Sequence, residues 1–193
     1  MVETHMSRFK KFSKRHGPPS ECEPVPQESL DRYADKLPVE LLEEWKQTGW
    51  CAYGNGFLWL INPAEYASVM EDWVESPEGA IPFLRTVFGD ILYWDGKDAV
   101  FLDVQEGDTT VVFRRMEMLF DGMLCDDNTL NDLLQYKTFQ QALPRLGAPK
   151  KDEVYAFVPP PAMGGSGGVE TLKRYKLREH LALLAQVVQG DDE

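Results

Sequence analysis

Trp50-Cys51-Ala52-Tyr53-Gly54-Asn55-Gly56-Phe57-Leu58-Trp59-Leu60-Ile61 consists of two β-prone runs on either side of a turn. Aromatic and β-branched residues suit a pleated surface, and Gly54-Asn55-Gly56 tolerates the positive φ angles of a tight connection. The stretch predicts a β-hairpin. Immediately before it, Pro38 suits the first turn of a helix running to Thr48, with Val39, Leu42 and Trp45 on one stripe and Gly49 as the stop. Further upstream, residues 17–27 contain four prolines and read as an extended linker, so the folded unit is expected to begin near Gln27.

Downstream of the hairpin, Asn62-Pro63 has the chemistry of an N-cap and first turn. Tyr66, Val69, Met70 and Trp73 follow at helical spacing, with Glu65, Glu71, Asp72 and Glu75 on the opposite, polar side. A short helix is expected around Phe83 to Phe88. Three β-prone runs come next, Ile91 to Trp94, Val100 to Val104 and Thr109 to Phe113. The turn-forming residues Asp95 to Asp98 and Gln105 to Asp108 separate them, which predicts an antiparallel meander. From Met116 the period turns helical, with Met116, Leu119, Phe120, Met123 and Leu124 on one face and further helical stretches at 130–134 and 139–146. Val154 to Val158 reads as a strand, Pro159 to Gly168 as a loop, and Glu170 to Gln189 as a closing helix. Its stripe Leu177, Leu181, Leu184 and Val188 must dock on the sheet-containing part.

The chain has 193 residues, 43% hydrophobic and 27% charged, enough for one sizeable core and too little for two large domains. Its longest strong apolar run, Phe57 to Ile61, falls far short of the roughly 18 residues of a membrane span. The net charge of −12 is unevenly distributed. Residues 1–17 carry five basic groups against one acid, residues 18–136 carry 7 against 24, and residues 137–193 carry 8 against 7. An acidic middle repels nucleic-acid phosphates and attracts basic partners, so direct nucleic-acid binding is not expected. Cys22, Cys51 and Cys125 match neither a disulfide framework nor metal-binding spacing, which suggests a reducing compartment. The basic start, broken by Lys10, Lys11, Lys14 and Arg15, has no apolar core for an export signal.

Catalytic readings find little material. Gly164-Gly165-Ser166-Gly167-Gly168 has the letter pattern of a nucleophile elbow, and His180 follows it. Three prolines separate that pattern from the preceding strand, and no aspartate lies between Ser166 and His180. His180 sits at the edge of an apolar stripe, as a structural histidine would. Asp126 to Asn131 imitates a calcium loop, but Lys137 occupies the closing position, and a helix cap by Asn128 is expected instead. With three histidines in the chain, no metal or cofactor is called for.

Leu37 to Trp45, Gly49-Trp50, Gly56 to Pro63, Glu65-Tyr66, Phe88-Gly89-Asp90 and Trp94-Asp95 together resemble the bacterial GAD-like domain. Asp152 to Pro159, Gly164-Gly165 and His180 to Gln186 resemble the domain that commonly follows it. The two-part arrangement is similar to immunity proteins of type VI secretion effectors, especially those neutralising DNase toxins in the cytoplasm. The resemblance implies binding and not catalysis. Pro159-Pro160-Pro161 and Gly164 to Gly168 depart from it, being richer in Pro and Gly than such a segment requires.

The expectation is an α+β protein in one compact unit, an antiparallel sheet with helices packed on it and a C-terminal helical lobe. It divides into an arm and linker (1–26), a GAD-like α+β part (27–114) and a mostly helical part (115–193). Function is expected to be inhibition of a cognate effector toxin, a nuclease, through Glu71, Asp72, Glu75, Asp95 and Asp98. The competing classes are a hydrolase using Ser166 and His180, and a regulatory protein-binding scaffold.

Overall fold

The computed structural model describes residues 7–190. In chain order it comprises α1 (Lys10–His16), β1 (Ser20–Glu23), α2 (Gln27–Tyr33), α3 (Val39–Thr48), β2 (Trp50–Tyr53), β3 (Leu58–Leu60), α4 (Ala67–Trp73), β4 (Ile81–Thr86) and β5 (Ile91–Trp94). There follow β6 (Ala99–Asp103), β7 (Asp108–Phe113), α5 (Met116–Phe120), α6 (Asp127–Asp132), α7 (Tyr136–Leu146), β8 (Glu153–Phe157), β9 (Leu172–Lys176) and α8 (Leu177–Val188), with short 3-10 turns between some of them. Strands β1 to β7 form one antiparallel sheet in sequence order, and β8 and β9 form a two-stranded antiparallel ribbon. The class is α+β.

The expected hairpin is β2–β3, with Ala52 opposite Trp59 and Tyr53 opposite Leu58. Gly54, Asn55 and Gly56 all take positive φ in its turn. The middle strands are buried on both faces because side chains alternate sides along a strand. In β5, Leu92 and Trp94 enter one apolar cluster with α1, α3, α5, α6 and α7, while Ile91 and Tyr93 enter a second with α4 and α8. Helices thus cover the sheet on both sides. Leu177, Leu181 and Leu184 of α8 lie in the second cluster, as the stripe predicts.

Several expectations are corrected. The linker and N-terminal arm are folded: Phe9 and Phe12 are buried, Phe9 stacks on Phe120 at 4.2 Å, and β1 pairs with β2. The backbone N–H groups of Lys11 and Phe12 both donate to Asp121 Oδ1 at 3.0 Å. Residues 1–6 of that arm and 191–193 of the C-terminal part lie outside the described residues. Cys22 and Cys51 form a disulfide across β1 and β2, a partnership their spacing of 29 residues did not suggest. Pairing of the two strands brings them together.

In α3 the buried stripe is Leu41, Glu44, Trp45 and Thr48, and Val39 is exposed. A carboxylate lies inside because donors meet it: Arg8 N–H at 2.7 Å and the Tyr53 hydroxyl at 3.2 Å. Phe83 to Phe88 is not helical; residues 81–86 are strand β4. Phe83, Leu84, Val87 and Phe88 fall at helical spacing around Arg85 and Thr86, and because the strand is buried on both faces even those two polar residues lie inside, so no period of two marks it as strand. Pro82 is accommodated at an irregularity in the β4–β5 ladder, between Pro82 and Leu84. Asp126, not Asn128, caps α6, accepting from Thr129 N at 2.9 Å. The closing helix starts at Leu177, because Leu172–Lys176 pairs with β8.

Candidate functional site

Asn62 Oδ1 accepts from Ala64 N at 3.1 Å and starts a 3-10 turn, Pro63–Tyr66, that leads into α4. Val69, Met70 and Trp73 turn inward, which leaves Glu71 and Asp72 on the solvent side and Glu75 just beyond the helix end. Two other elements meet α4 there. The β6–β7 turn brings Glu106, Gly107 and Asp108, and the end of α8 brings Val188 and Gln189. Gly107 has φ of 78°, and a Cβ on it would stand 2.5 Å from Val188 Cγ1, so a side chain there would be strained and would force the Val188 side chain to shift.

Between these elements lies a groove of about 750 Å³. Its lining includes the carboxylates of Glu71, Asp72, Glu75, Glu106 and Asp108, the aromatic residues Trp73 and Tyr93, and no lysine or arginine among the described residues. None of these five carboxylates is in an ion pair within the described residues, although nine ion pairs occur elsewhere among them. Such a surface concentrates negative potential and can attract a cationic partner.

Three of the five residues expected from sequence therefore come together, and two do not. Asp95 caps the β5–β6 turn, its Oδ1 accepting from Lys97 N at 2.8 Å and Asp98 N at 2.7 Å. Those backbone donors hold its pKa below the ordinary carboxylate value. Asp98 is buried and paired with Arg114 Nε at 2.6 Å, so its charge is already answered within the fold. Glu106, Asp108 and Tyr93 were missed. No local signal marks them, since they reach the groove through sheet pairing and not through proximity in sequence.

The residues of the hydrolase reading do not form a pair. Ser166 is exposed and its Oγ lies 3.5 Å from Glu170 Oε1, while it accepts from Gly168 N at 3.2 Å. His180 is buried, burial pushes its pKa down to about 4, and its Nε2 has no partner among the described residues. No hydrogen bond joins the two among the described residues. None of the helices described is long and apolar enough to cross a membrane.

Residues 7–106 match the GAD-like domain family, just over half the chain. The chain belongs to the GAD-like domain family. Residues 115–188 of this GAD-like protein match the family described as T6SS immunity protein Tdi1, C-terminal. Together the matches make it a type VI secretion immunity protein, a kind that binds a cognate effector toxin. Its fold is similar to that in the crystal structure of Atu4351 from Agrobacterium tumefaciens. The TM-score is 0.78 at 18% identity, over 92% of this chain and 88% of that one, a likeness of fold alone. No curated protein matches the chain.

Proposed function

We propose that this GAD-like immunity protein acts by stoichiometric binding of a nuclease effector, a DNase, and catalyses no reaction of its own. The observation that carries the reading is the groove whose five carboxylates have no cation within the described fold. A nuclease must present basic groups to hold phosphates, and an acidic inhibitor engages those same groups. Glu71, Asp72 and Glu75 form one wall of that surface, with Glu106 and Asp108 facing them across it. Asp95 stays exposed in the β5–β6 turn, at the other end of β6 from the β6–β7 turn, and Asp98 acts through its pair with Arg114, as a support of that turn.

The direct test is co-expression with the effector encoded beside its gene: lethality should disappear, and a complex of fixed stoichiometry should be isolated. Reversing Glu71, Asp72 and Glu75 to Lys should slow association by a factor of roughly 10 to 1,000 and flatten its salt dependence. Dissociation should change less. An association rate and salt slope both unchanged would leave these residues as a solvated face only.

Ser166→Ala separates binding from hydrolysis. Since Ser166 is exposed and bonded only locally, the variant should fold normally and protect fully. Loss of protection with the fold intact would favour the hydrolase.

A further inference from the structure

The two edges of the seven-stranded sheet differ. Strand β1 is four residues long, carries Glu21 and Glu23, pairs irregularly with β2 and is flanked by prolines. Short length, charge and irregularity are the usual means by which an edge is closed to other strands. Strand β7 has few of these. Its sequence, Asp108-Thr109-Thr110-Val111-Val112-Phe113, has four consecutive β-branched residues and no proline or lysine. Residues 108–111 are exposed, Val111 at 62%. Among the described residues its backbone pairs with β6 on one side only.

The open edge adjoins the acidic groove. Val111 lies opposite Val100 and Thr109 opposite Leu102, so both face the side of the sheet carrying α4 and α8, although those helices leave Val111 uncovered. Asp108 and Thr109 line the groove, and Trp73 in its wall, 5% exposed, has an indole N–H with no acceptor in the described protein. Gln105, buried in the turn leading into β7, has a carboxamide whose donor and acceptor find no partner among the described residues. Negative charge, an unpaired strand edge and unsatisfied polar groups thus coincide on one side of the molecule.

We infer that β7 is where the effector docks, an extended basic segment of the toxin adding to the sheet as an eighth strand. The inference rests on the immunity reading and specifies its contact. Main-chain hydrogen bonds to an edge strand supply affinity, and alternate side chains supply specificity. In the added strand, alternate residues face the same side as Thr109 and Val111. A lysine or arginine near Asp108 meets the carboxylates, and an apolar residue beside Val111 covers its exposed side chain.

The experiment is hydrogen exchange on the protein alone and in complex with a catalytically inactivated copy of the effector encoded beside its gene, together with Val111→Lys. In the complex, the outward-pointing amides of residues 108–113 should exchange at least about tenfold more slowly, as formation of stable new hydrogen bonds requires. Val111→Lys should melt at the wild-type temperature yet weaken binding at least about tenfold, because it puts a cation where the basic segment lies. A complex that forms with β7 amides exchanging as in the free protein overturns strand addition and leaves the immunity reading standing. Failure of any complex to form overturns both. Protection of β7 that rises with protein concentration in the absence of effector assigns the edge to a second copy of the chain and overturns the effector assignment.

Discussion

Replacing Leu181 by Ala should lower the free energy of unfolding by about 2–5 kcal/mol, because the site is core and the surrounding structure collapses only partly into the space left. Leu181 is 1% exposed. It lies in the cluster shared by α4, α8 and the sheet, and its Cδ2 would stand 2.8 Å from a Cβ placed on Gly89. Gly89, at φ of 98° in the β4–β5 connection, is what allows the leucine to approach the backbone so closely. Domains of this size lose roughly 2–4 °C of melting temperature per kcal/mol, so the shift should be readily measured. The control is Leu183→Ala on the same helix, 46% exposed, which should change stability by no more than about 0.5 kcal/mol. Equal, small effects at the two positions in denaturant titrations would show that α8 is not held against the sheet.

The second large effect is a pH dependence carried by one carboxyl. Asp90 is 3% exposed, and burial, reinforced by the nearby Asp103 charge, pushes its pKa up to about 7. Its Oδ2 accepts from Thr86 Oγ1 at 2.7 Å and its Oδ1 from Val104 N at 3.3 Å, bonds that oppose the shift without cancelling it. An unfolded aspartate titrates near 3.9, so the native state holds a proton that the unfolded chain releases. Stability from this group is therefore fully present below about pH 4 and is lost as pH rises towards and through about 7. At about 1.4 kcal/mol per pKa unit the loss could reach about 4 kcal/mol. Asp90→Asn cannot ionise, and its unfolding free energy should change much less than wild type between pH 5 and 8. Parallel curves for the two proteins over that interval would show that Asp90 titrates normally. His180 acts in the opposite sense: its lowered pKa removes stability as pH falls below about 6.5, towards 4. The wild-type minus Asp90→Asn difference isolates the aspartate from it.

These two positions show how sequence and structure divide the explanation. Leu181 was legible in advance, because a helix that buries one face must repeat apolar residues at spacings of three and four, and 177, 181 and 184 do so. The hairpin at 50–61, the inward face of α4 and the β5–β7 meander were legible for the same kind of reason: each is specified by local period and turn chemistry. The resemblance to the GAD-like domain also lay in residues contiguous along the chain. Asp90 stood in the sequence only as part of Phe88-Gly89-Asp90, one segment of the GAD-like resemblance, and nothing near it among the 32 acids indicated that Val104, fourteen residues away, would help to enclose it.

What tertiary structure decided is what long-range pairing decides. Strand β4 looked helical because both of its faces are covered, and the covering elements lie far away in the chain. The arm became part of the core because Phe9 and Phe12 meet Phe120, and Cys22 met Cys51 because β1 pairs with β2. The groove was half legible. The helical period placed Glu71 and Asp72 on a polar face, whereas Glu106 and Asp108 joined them only when the β6–β7 turn folded against α4 and α8. Asp98, equally acidic in sequence, was withdrawn by Arg114 sixteen residues away. Local periods specify which side of an element is wet, and only the packing of distant elements determines which wet surfaces become neighbours.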